Sequence, residues 1–580
     1  MGNWKDELKK FVGGLGSGKK KPGESVRAES DRSLRHGETP EAAWKEGVTP
    51  RDKPSKRLSP EDLKRQKITT SPSGKRTRKK LSNGARTRKV VEPHSGHPAE
   101  KPAQATPDSS RNAKKPPFVL KKSDLKDAPQ CALSTEHEFR YPADWVEAGI
   151  GLQPPESAGG RLMPIRVGLD FGTAYTKAAI RLADSAFIVD FDGVTAADTS
   201  RLLAGELSKD SLGQAWLGRS SSAERVFSRL KLPFISTSTT SLEDQAAAAV
   251  FLGWVIRYIR AWTYHHHPQI VANKKIAWDL NIGIPSSSWA DDGLTRRYRK
   301  VACAAWILSQ EAAVPSISRT RDLLYAGVPE LGDIGLDDLH FVPEFVAQLA
   351  GYVMSPQRPT QGNELHLLVD AGAGTLDIAC FGAWRPPGED LYRFETWAAT
   401  VVPLGTHFLM HARAAIPDVD VGEWSDGKAV PSATEFAKQH KLSKAAVGEV
   451  DDGFLTAVSN EVGAILLKTK KSRNPRASEW VSGLRTFLAG GGSSVPIYQT
   501  AVGRALARIR SKPKNVGFTL FDVVNREDIP DSIKHRLSVA HGLTFDALSI
   551  GDTIPISEIE DLEEEARKRK SYDRDELYPK

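Results

Sequence analysis

The chain has few cysteines and no long apolar run. Its 580 residues include only three cysteines, Cys131, Cys303 and Cys380, which are far apart, form no Cys-x-x-Cys pair and have no histidine set nearby. This scarcity argues against a disulfide framework or a zinc site. No stretch reaches the ~18 consecutive apolar residues that span a bilayer, and the N-terminus lacks the apolar core of a secretory signal. We therefore expect a cytoplasmic protein with no transmembrane segment.

Basic residues are concentrated at the N-terminal end. Residues 1–120 carry 29 basic and 14 acidic side chains, a net charge of +15. Because the net charge of the whole chain is +9, the remaining residues carry a net charge of −6. The basic character of the protein therefore belongs to its first part. The rest of the chain has an ordinary globular composition.

The first part has little apolar content after a short amphipathic stretch. Residues 1–12 have the spacing of a short amphipathic helix, and residues 13–117 predict a disordered basic linker, because their scattered apolar residues bury too little surface to offset chain entropy. Residues 75–89 contain two dense basic runs without an aromatic residue to stack on bases. They predict either a solvated tail or weak, non-specific contact with nucleic acid or an anionic surface.

Aromatic and apolar residues return at about position 118. Residues 118–164 are expected to pack on the core as an irregular lead-in. From residue 165 onward, short β-rich runs alternate with longer helical stretches, one of them around residues 244–262, which indicates an α/β fold. We expect this domain to span residues 165–547 and to be followed by a charged C-terminal tail, residues 548–580.

Two strand-turn motifs share one pattern. VGLDFGTAYTK, at residues 167–177, and LLVDAGAGTLDIA, at residues 367–379, each place an aspartate at the end of a strand and glycine in the turn that follows. A glycine-lined hairpin leaves backbone N–H groups free to face an anion. Asp170 and Asp370 would lie beside that anion, where Mg²⁺ and its waters bridge carboxylates and phosphates. The pair predicts a clamp for a polyphosphate.

The pair resembles the two phosphate loops of the superfamily of actin, sugar kinases and the seventy-kilodalton heat-shock chaperones. Four further segments occur along the chain in the order of the family. LAGGGSSVP, at residues 488–496, resembles the adenosine-binding turn of the chaperones. FVPEFVAQLA, at residues 341–350, and residues 537–546 resemble the first and second connecting helices, and NIGIP, at residues 281–285, resembles the strand before the first of them. The resemblance implies a two-lobed actin-like ATPase fold built from duplicated ribonuclease-H-like sheets, closest to the chaperone ATPase domain.

The resemblance also implies the site residues and the ligands, ATP or ADP with Mg²⁺. Asp170 and Asp370 would hold Mg²⁺ through water, and Glu344, Asp377 and Lys231 would complete the catalytic set. The residues that would contact the nucleotide are Gly172, Thr173, Ala174, Tyr175, Gly372, Ala373, Gly374, Thr375, Gly405, Gly490, Gly491, Gly492 and Ser493.

The sequence departs from the chaperone pattern at several positions. Ala174 stands where a second threonine is usual, so hydrolysis is expected to be slow. Ser494 replaces the arginine that stacks on the base, and the run Lys468–Lys471 is a candidate substitute or a solvated helix face. Either Arg229 or Lys231 fits the phosphate-contacting cation, and we favour Lys231.

The resemblance predicts a slow ATPase that acts as a nucleotide-dependent switch on an unidentified partner protein. About 35 residues follow the second connecting helix, too few for the peptide-binding part of a chaperone, so an autonomous foldase is not expected. Three alternatives stay open: an actin-like filament-forming ATPase, a pseudo-ATPase scaffold and a small-molecule kinase.

Overall fold

The structure is a computed structural model. It describes residues 137–138, 143–154, 160–191, 200–233, 241–285, 292–327, 329–355, 364–389, 391–417, 419, 429–517, 520–546, 550–554 and 556–559. The predicted helix 1–12, the linker 13–117 and the basic cluster 75–89 lie outside the described residues, as does the C-terminal tail from residue 560 onward.

The described residues form a mixed α/β fold. Its strands are β1 (His137–Glu138), β2 (Arg161–Phe171), β3 (Tyr175–Leu182), β4 (Ser185–Ile188), β5 (Leu203–Ala204), β6 (Glu206–Lys209), β7 (Ala215–Arg219), β8 (Arg225–Ser228), β9 (Lys274–Ile284), β10 (Asp338–Pro343), β11 (Glu364–Ala371), β12 (Leu376–Trp384), β13 (Arg393–Val402), β14 (Leu484–Ala489), β15 (Pro513–Asn515) and β16 (Asp552–Ile554).

Helices separate and cover these strands. They are α1 (Ala143–Ile150), α2 (Leu242–His266), α3 (Pro268–Val271), α4 (Asp292–Leu308), α5 (Ile317–Ala326), α6 (Glu344–Val353), α7 (Thr406–Ala414), α8 (Ala433–Gln439), α9 (Lys444–Lys468), α10 (Glu479–Ser482), α11 (Pro496–Arg508), α12 (Asp531–Lys534) and α13 (Ser538–Gly542). In the described part of the chain, no helix is both long enough and apolar enough to cross a membrane.

Two of the sheets repeat one topology. The first sheet has the strand order β10-β9-β2-β3-β4, with β5 paired to β3, and the second has the order β15-β14-β11-β12-β13-β16. In both, an opening strand (β2, β11) pairs antiparallel with the next strand, which pairs antiparallel with a third. The opening strand also pairs parallel with a fourth strand (β9, β14). This fourth strand in turn pairs parallel with a fifth (β10, β15). A smaller sheet has the order β1-β7-β6-β8.

Each large sheet has its own apolar core. The first core joins β2, β3 and β9 to α2 and α4, and the second joins β11 and β12 to α9 and α11. Helix α2 is buried almost throughout, from Ala246 to Tyr264, and its first turn is capped by the Ser241 hydroxyl, which accepts from the Asp244 amide. The helix predicted around residues 244–262 is thus confirmed. Its nearly continuous apolar surface explains why it lies inside the fold rather than on it.

Helices α6 and α13 pack between the two sheets at very short range. A Cβ atom at Gly542 would collide with the backbone of Ala347, so only glycine allows this approach. Their apolar residues form a core with strands of the second sheet, while Asn281 of β9 donates to the carbonyls of Leu543 and Phe545. The α6–α13 pair therefore connects both sheets.

The ordered fold extends beyond the predicted boundaries. Strand β2 begins at Arg161, and the lead-in contains helix α1 rather than only irregular chain. The carbonyls of Gly149 and Leu152 accept hydrogen bonds from Arg260 and Trp278 of the first core. At the other end, β16 adds a parallel strand beside β13, so the second sheet continues past residue 547. Boundaries read from local composition miss such strands because an edge strand needs little apolar sequence.

A buried histidine gives the second sheet a testable acid sensitivity. His366 of β11 is fully buried, its ring stacks on Phe381 at 5.2 Å between centroids, and burial lowers its pKa to about 3. The unfolded chain binds a proton below the ordinary histidine pKa of about 6.5, whereas the folded protein does not, so stability falls as the pH drops from about 6.5 towards 3.

We expect His366→Phe to remove this loss. The free energy of unfolding of the variant, relative to that of the wild type, should be about 2 kcal/mol higher at pH 5 than at pH 7. Urea denaturation of both proteins at the two pH values measures it. An unchanged pH dependence would show that His366 is protonated in the folded state.

Candidate functional site

A cavity of about 300 Å³ lies where the two large sheets approach each other. The turn that follows the opening strand of each sheet contributes to its wall, as do α6, the glycine turn after β14 and the segment before α13. The two turns are close together, because a Cβ at Gly374 would lie 3.2 Å from Thr173 Cγ2. The repeated topology thus brings two equivalent hairpins to one site.

The first hairpin joins β2 to β3. Asp170 pairs across it with Lys177, and the Lys177 ammonium group lies 2.8 Å from Asp170 Oδ2. Asp170 is 4% exposed, so this ion pair is largely shielded from water. The turn residues Gly172, Thr173, Ala174 and Tyr175 all line the cavity.

The second hairpin joins β11 to β12 at the equivalent position. Asp370 pairs across it with Asp377, so a carboxylate stands where the first hairpin has Lys177. The Gly372 amide donates to the Thr375 carbonyl at 2.8 Å and closes the turn. Asp370, Gly372, Ala373, Thr375 and Asp377 line the cavity.

The glycine turn follows β14, which runs parallel to β11 and ends beside Asp370. Gly490 has φ = 76°, and a Cβ there would collide with Asp370 Oδ1 and with the Ala371 backbone. No other residue fits this combination of left-handed backbone and close approach. The turn then continues through a short 3₁₀ segment, Gly491–Ser494, into α11, whose first residue is Pro496.

Helix α6 supplies two polar side chains to the same wall. Its first residue, Glu344, forms an ion pair with Lys231, and Gln348, one turn later, donates to Asp370 Oδ2. Strand β10 ends at Pro343, which sets the position of Glu344 because β10 pairs in register with β9. The predicted connecting helix therefore begins at residue 344 and not at residue 341.

The cavity wall carries four carboxyl groups and three cationic side chains. Asp170, Glu344, Asp370 and Asp377 line it together with Lys177, Lys231 and Arg536. Burial, followed by the charge of Glu344, raises the pKa of Asp370 to about 6 and raises the pKa of Asp377 well above its usual range. Burial alone would lower the pKa of Lys231, but Glu344, Tyr298 and Asp170 raise it above its ordinary value.

These residues fit a Mg²⁺–polyphosphate group. Asp377 Oδ1 is buried without a hydrogen-bond partner among the described residues, and the like-charged carboxylates would be stabilised by a cation. Within the described ranges, no three His, Cys, Asp or Glu side chains are grouped to ligate one ion directly. Mg²⁺ usually keeps several waters and takes phosphate oxygens, so it does not require such a group.

A second part of the wall surrounds the glycine turn. The Arg536 guanidinium packs on Gly491: a Cβ atom added to this glycine would lie 2.9 Å from Arg536 Nη2. The guanidinium also lies 5.2 Å from the centroid of the Tyr175 ring. Burial, then the charge of Arg536, lowers the pKa of the neighbouring His535 to about 4. Apolar side chains complete this part of the wall: Val430, Val495 and Ile533.

Four residues predicted to contact the nucleotide do not line the cavity but support the residues that do. Gly374 packs against Thr173 and Leu232, and Gly405 backs onto Ala373 and Gly374. Gly492 lies beneath the second hairpin, where an added Cβ atom would be 2.8 Å from Thr406 Cγ2. The Ser493 hydroxyl donates to the Gly490 carbonyl at 2.8 Å. Their small size allows the loops to stack.

The structure also separates the alternatives for the basic residues. Lys231 lines the cavity, whereas Arg229 contacts His407 instead. The run Lys468–Lys471 is not among the residues lining the cavity. Lys470 donates to the Ile509 carbonyl at 2.9 Å, and Lys468 and Lys471 are exposed. Lys468 and Lys471 thus have the exposure expected of a solvated helix face, the other interpretation of this run.

Sequence reasoning missed several residues of the wall. Lys177 was detectable, since a tight hairpin puts it opposite Asp170, and Gln348 lies one helical turn after Glu344 on the same face. His535 and Arg536 gave no such signal. They reach the glycine turn from a segment about 45 residues further along the chain, and only the packing of α13 brings them there.

No protein-family model matches the chain, and comparison with curated proteins gives no significant match.

Proposed function

We propose that this protein is a Mg²⁺-dependent ATP-binding and slowly ATP-hydrolysing switch, with the two-lobed fold of the actin and heat-shock-chaperone superfamily. The observation that carries the proposal is the pair of equivalent hairpins, one from each sheet of the same topology, on one cavity of about 300 Å³. Each hairpin offers an aspartate at its strand end and backbone amides in its turn. Together they suit a polyphosphate held from two sides.

The glycine turn and its neighbours suit a nucleoside attached to that polyphosphate. Gly490 and Gly491 line the cavity, and the Arg536 guanidinium, which packs on Gly491, provides a cationic plane there. Arg536 thereby offers a contact of the kind that Ser494 cannot make. Val430, Val495 and Ile533 supply apolar surface for a base.

The polar residues of the wall suit attack of water on a terminal phosphate. Bound Mg²⁺ would supply neutralisation of phosphate charge, with Asp170 and Asp370 holding its waters. Lys231 adds a fixed positive charge, which Glu344 orients. Asp377, with its unpartnered Oδ1 and raised pKa, is placed to accept a hydrogen bond or a proton from water. Ala174 removes one hydroxyl from this set, which is the reason to expect slow turnover.

The arrangement also suits a switch. The α6–α13 contact at Gly542 joins elements of both sheets, and α6 carries Glu344 and Gln348 into the cavity. A ligand that draws the two hairpins together would shift α6 against α13 and alter the outer surface. A partner protein that prefers one arrangement would then respond to the nucleotide.

Equilibrium binding of ATP with Mg²⁺ and with excess chelator tests the proposal. We expect binding that weakens at least about 100-fold without Mg²⁺ and is lost in Asp170→Ala, whereas the exposed turn variant Asp184→Ala binds as wild type does. Absence of binding by wild-type protein would refute the proposal.

The same preparation distinguishes the other functions. Binding without turnover would identify a pseudo-ATPase. Nucleotide-dependent pelleting would indicate a filament, and turnover that rises strongly with a sugar or carboxylate acceptor would indicate a kinase.

A further inference from the structure

Lys231 belongs to a tight turn that is held only in part by the core of the first sheet. This lysine turn, residues 229–232, follows β8 and is closed by a hydrogen bond from the Leu232 amide to the Arg229 carbonyl at 2.9 Å. Phe227 and Leu230 anchor it in the core of the first sheet. Arg229 has φ = 52°, an uncommon conformation for a residue with a side chain. Such a conformation persists only where surrounding contacts impose it.

The contacts that impose it come from α7 and from the second hairpin. The Arg229 guanidinium lies 2.7 Å from His407 Nδ1, and the two residues are only 4% and 3% exposed. Leu232 packs on the second hairpin, 3.4 Å from where a Cβ of Gly374 would be. Since arginine has only donors, His407 Nδ1 accepts this bond and its ring carries the proton on Nε2.

His407 is itself tied to the second hairpin. It lies in the first turn of α7, where its amide donates to the Ala373 carbonyl at 2.9 Å and the amide of Thr406 donates to the Gly372 carbonyl at 3.1 Å. A movement of the second hairpin therefore moves His407. Through Arg229 and the closed turn, the same movement reaches Lys231, which contacts Glu344.

We propose that Arg229 and His407 are positioning residues that place Lys231 in the cavity only when the second hairpin is seated against the lysine turn. The proposal rests on the proposed ATP hydrolysis for its kinetic consequence. Because neither Arg229 nor His407 lines the cavity, breaking their contact should slow the chemical step and leave nucleotide affinity almost unchanged. The position of Lys231 is then set by the second hairpin as well as by its own turn.

Variants of His407 test this coupling. His407→Leu removes the acceptor at similar volume, and His407→Asn keeps an acceptor near the position of Nδ1. His411→Leu, on the exposed side of the same helix, is the matched control. We expect His407→Leu to lower the single-turnover hydrolysis rate about 10-fold or more with less than about 3-fold change in Kd for Mg²⁺-ATP. His407→Asn should recover most of the rate, and His411→Leu should not change it.

A double-mutant cycle separates positioning from a general structural effect. In a Lys231→Met background, His407→Leu should cause no further loss of rate, because its effect acts through the lysine. Arg229→Met breaks the same contact from the other side and should reproduce the loss if His407→Leu does not fold. Additive losses, or a parallel rise in Kd, would overturn the proposal.

Hydrogen exchange of the nucleotide-free protein provides a readout that does not depend on ATP. In His407→Leu, peptides covering residues 226–233 and 372–376 should both exchange faster than in wild type and in His411→Leu. This result together with no ATP binding would refute the proposed function and leave the coupling standing. Unchanged exchange in these peptides would overturn the coupling whether or not ATP is hydrolysed.

Discussion

Asp370→Asn is expected to weaken Mg²⁺-dependent ATP binding strongly and at the same time to stabilise the nucleotide-free protein. Burial and the charge of Glu344 raise the pKa of Asp370 to about 6, and Asp370 faces Asp377 across the second hairpin. Its charge is therefore unfavourable without a cation. Asparagine retains an oxygen to accept from Gln348 but removes the charge.

The two effects have different expected sizes. The loss of the carboxylate should weaken Mg²⁺-ATP binding at least about 100-fold. The free energy of unfolding at pH 7 should rise by about 1–2 kcal/mol, a value reduced by the water that reaches Asp370 from the cavity. Titration calorimetry and urea denaturation measure them, with Asp184→Asn as the exposed control. Loss of binding with a loss of stability would show that Asp370 is a structural residue instead.

Lys231→Met is expected to lower the rate of ATP hydrolysis by about 100-fold or more while Mg²⁺-ATP still binds. A fixed charge at a developing negative charge typically contributes this much to a transition state and less to ground-state affinity. Methionine retains most of the apolar stem, so the packing of the lysine turn is preserved. Single-turnover rates and Kd values measured on one preparation separate the two effects. Equal losses in both would assign Lys231 to binding rather than to the chemical step.

The same substitution should destabilise the fold. It leaves Glu344 without its partner beside three other carboxylates, and breaking a buried ion pair from one side typically costs about 3–5 kcal/mol. The double variant Lys231→Met with Glu344→Gln should recover most of this stability without recovering hydrolysis. Recovery of both would show that the pair is structural and that the positive charge is not needed.

The strand-turn motifs could be identified from local sequence because their chemistry is local. An aspartate at a strand end followed by glycine predicts a hairpin that faces an anion, and the structure places both hairpins, Glu344 and Lys231 on one cavity. The long helix α2 was likewise predictable, since its apolar content is nearly continuous. Such features depend on residues within one or two turns of each other.

Features that depend on distant residues were not predictable. Arg536 reaches Gly491, and Arg229 reaches His407, from elements far away in sequence. Strand β16 extends the second sheet only because β13 presents a free edge to it. No local pattern identifies the partner in any of these cases.

Local sequence accounts for the α/β class, the two aspartate-glycine hairpins and the glycine turn, because backbone geometry and hydrophobic periodicity act over a few residues. The identity of the cations that face the carboxylates, in contrast, depends on contacts between distant residues. That choice depends on the packing of two sheets with the same topology, which brings Lys177, Lys231 and Arg536 to one cavity and directs Arg229 away from it towards His407.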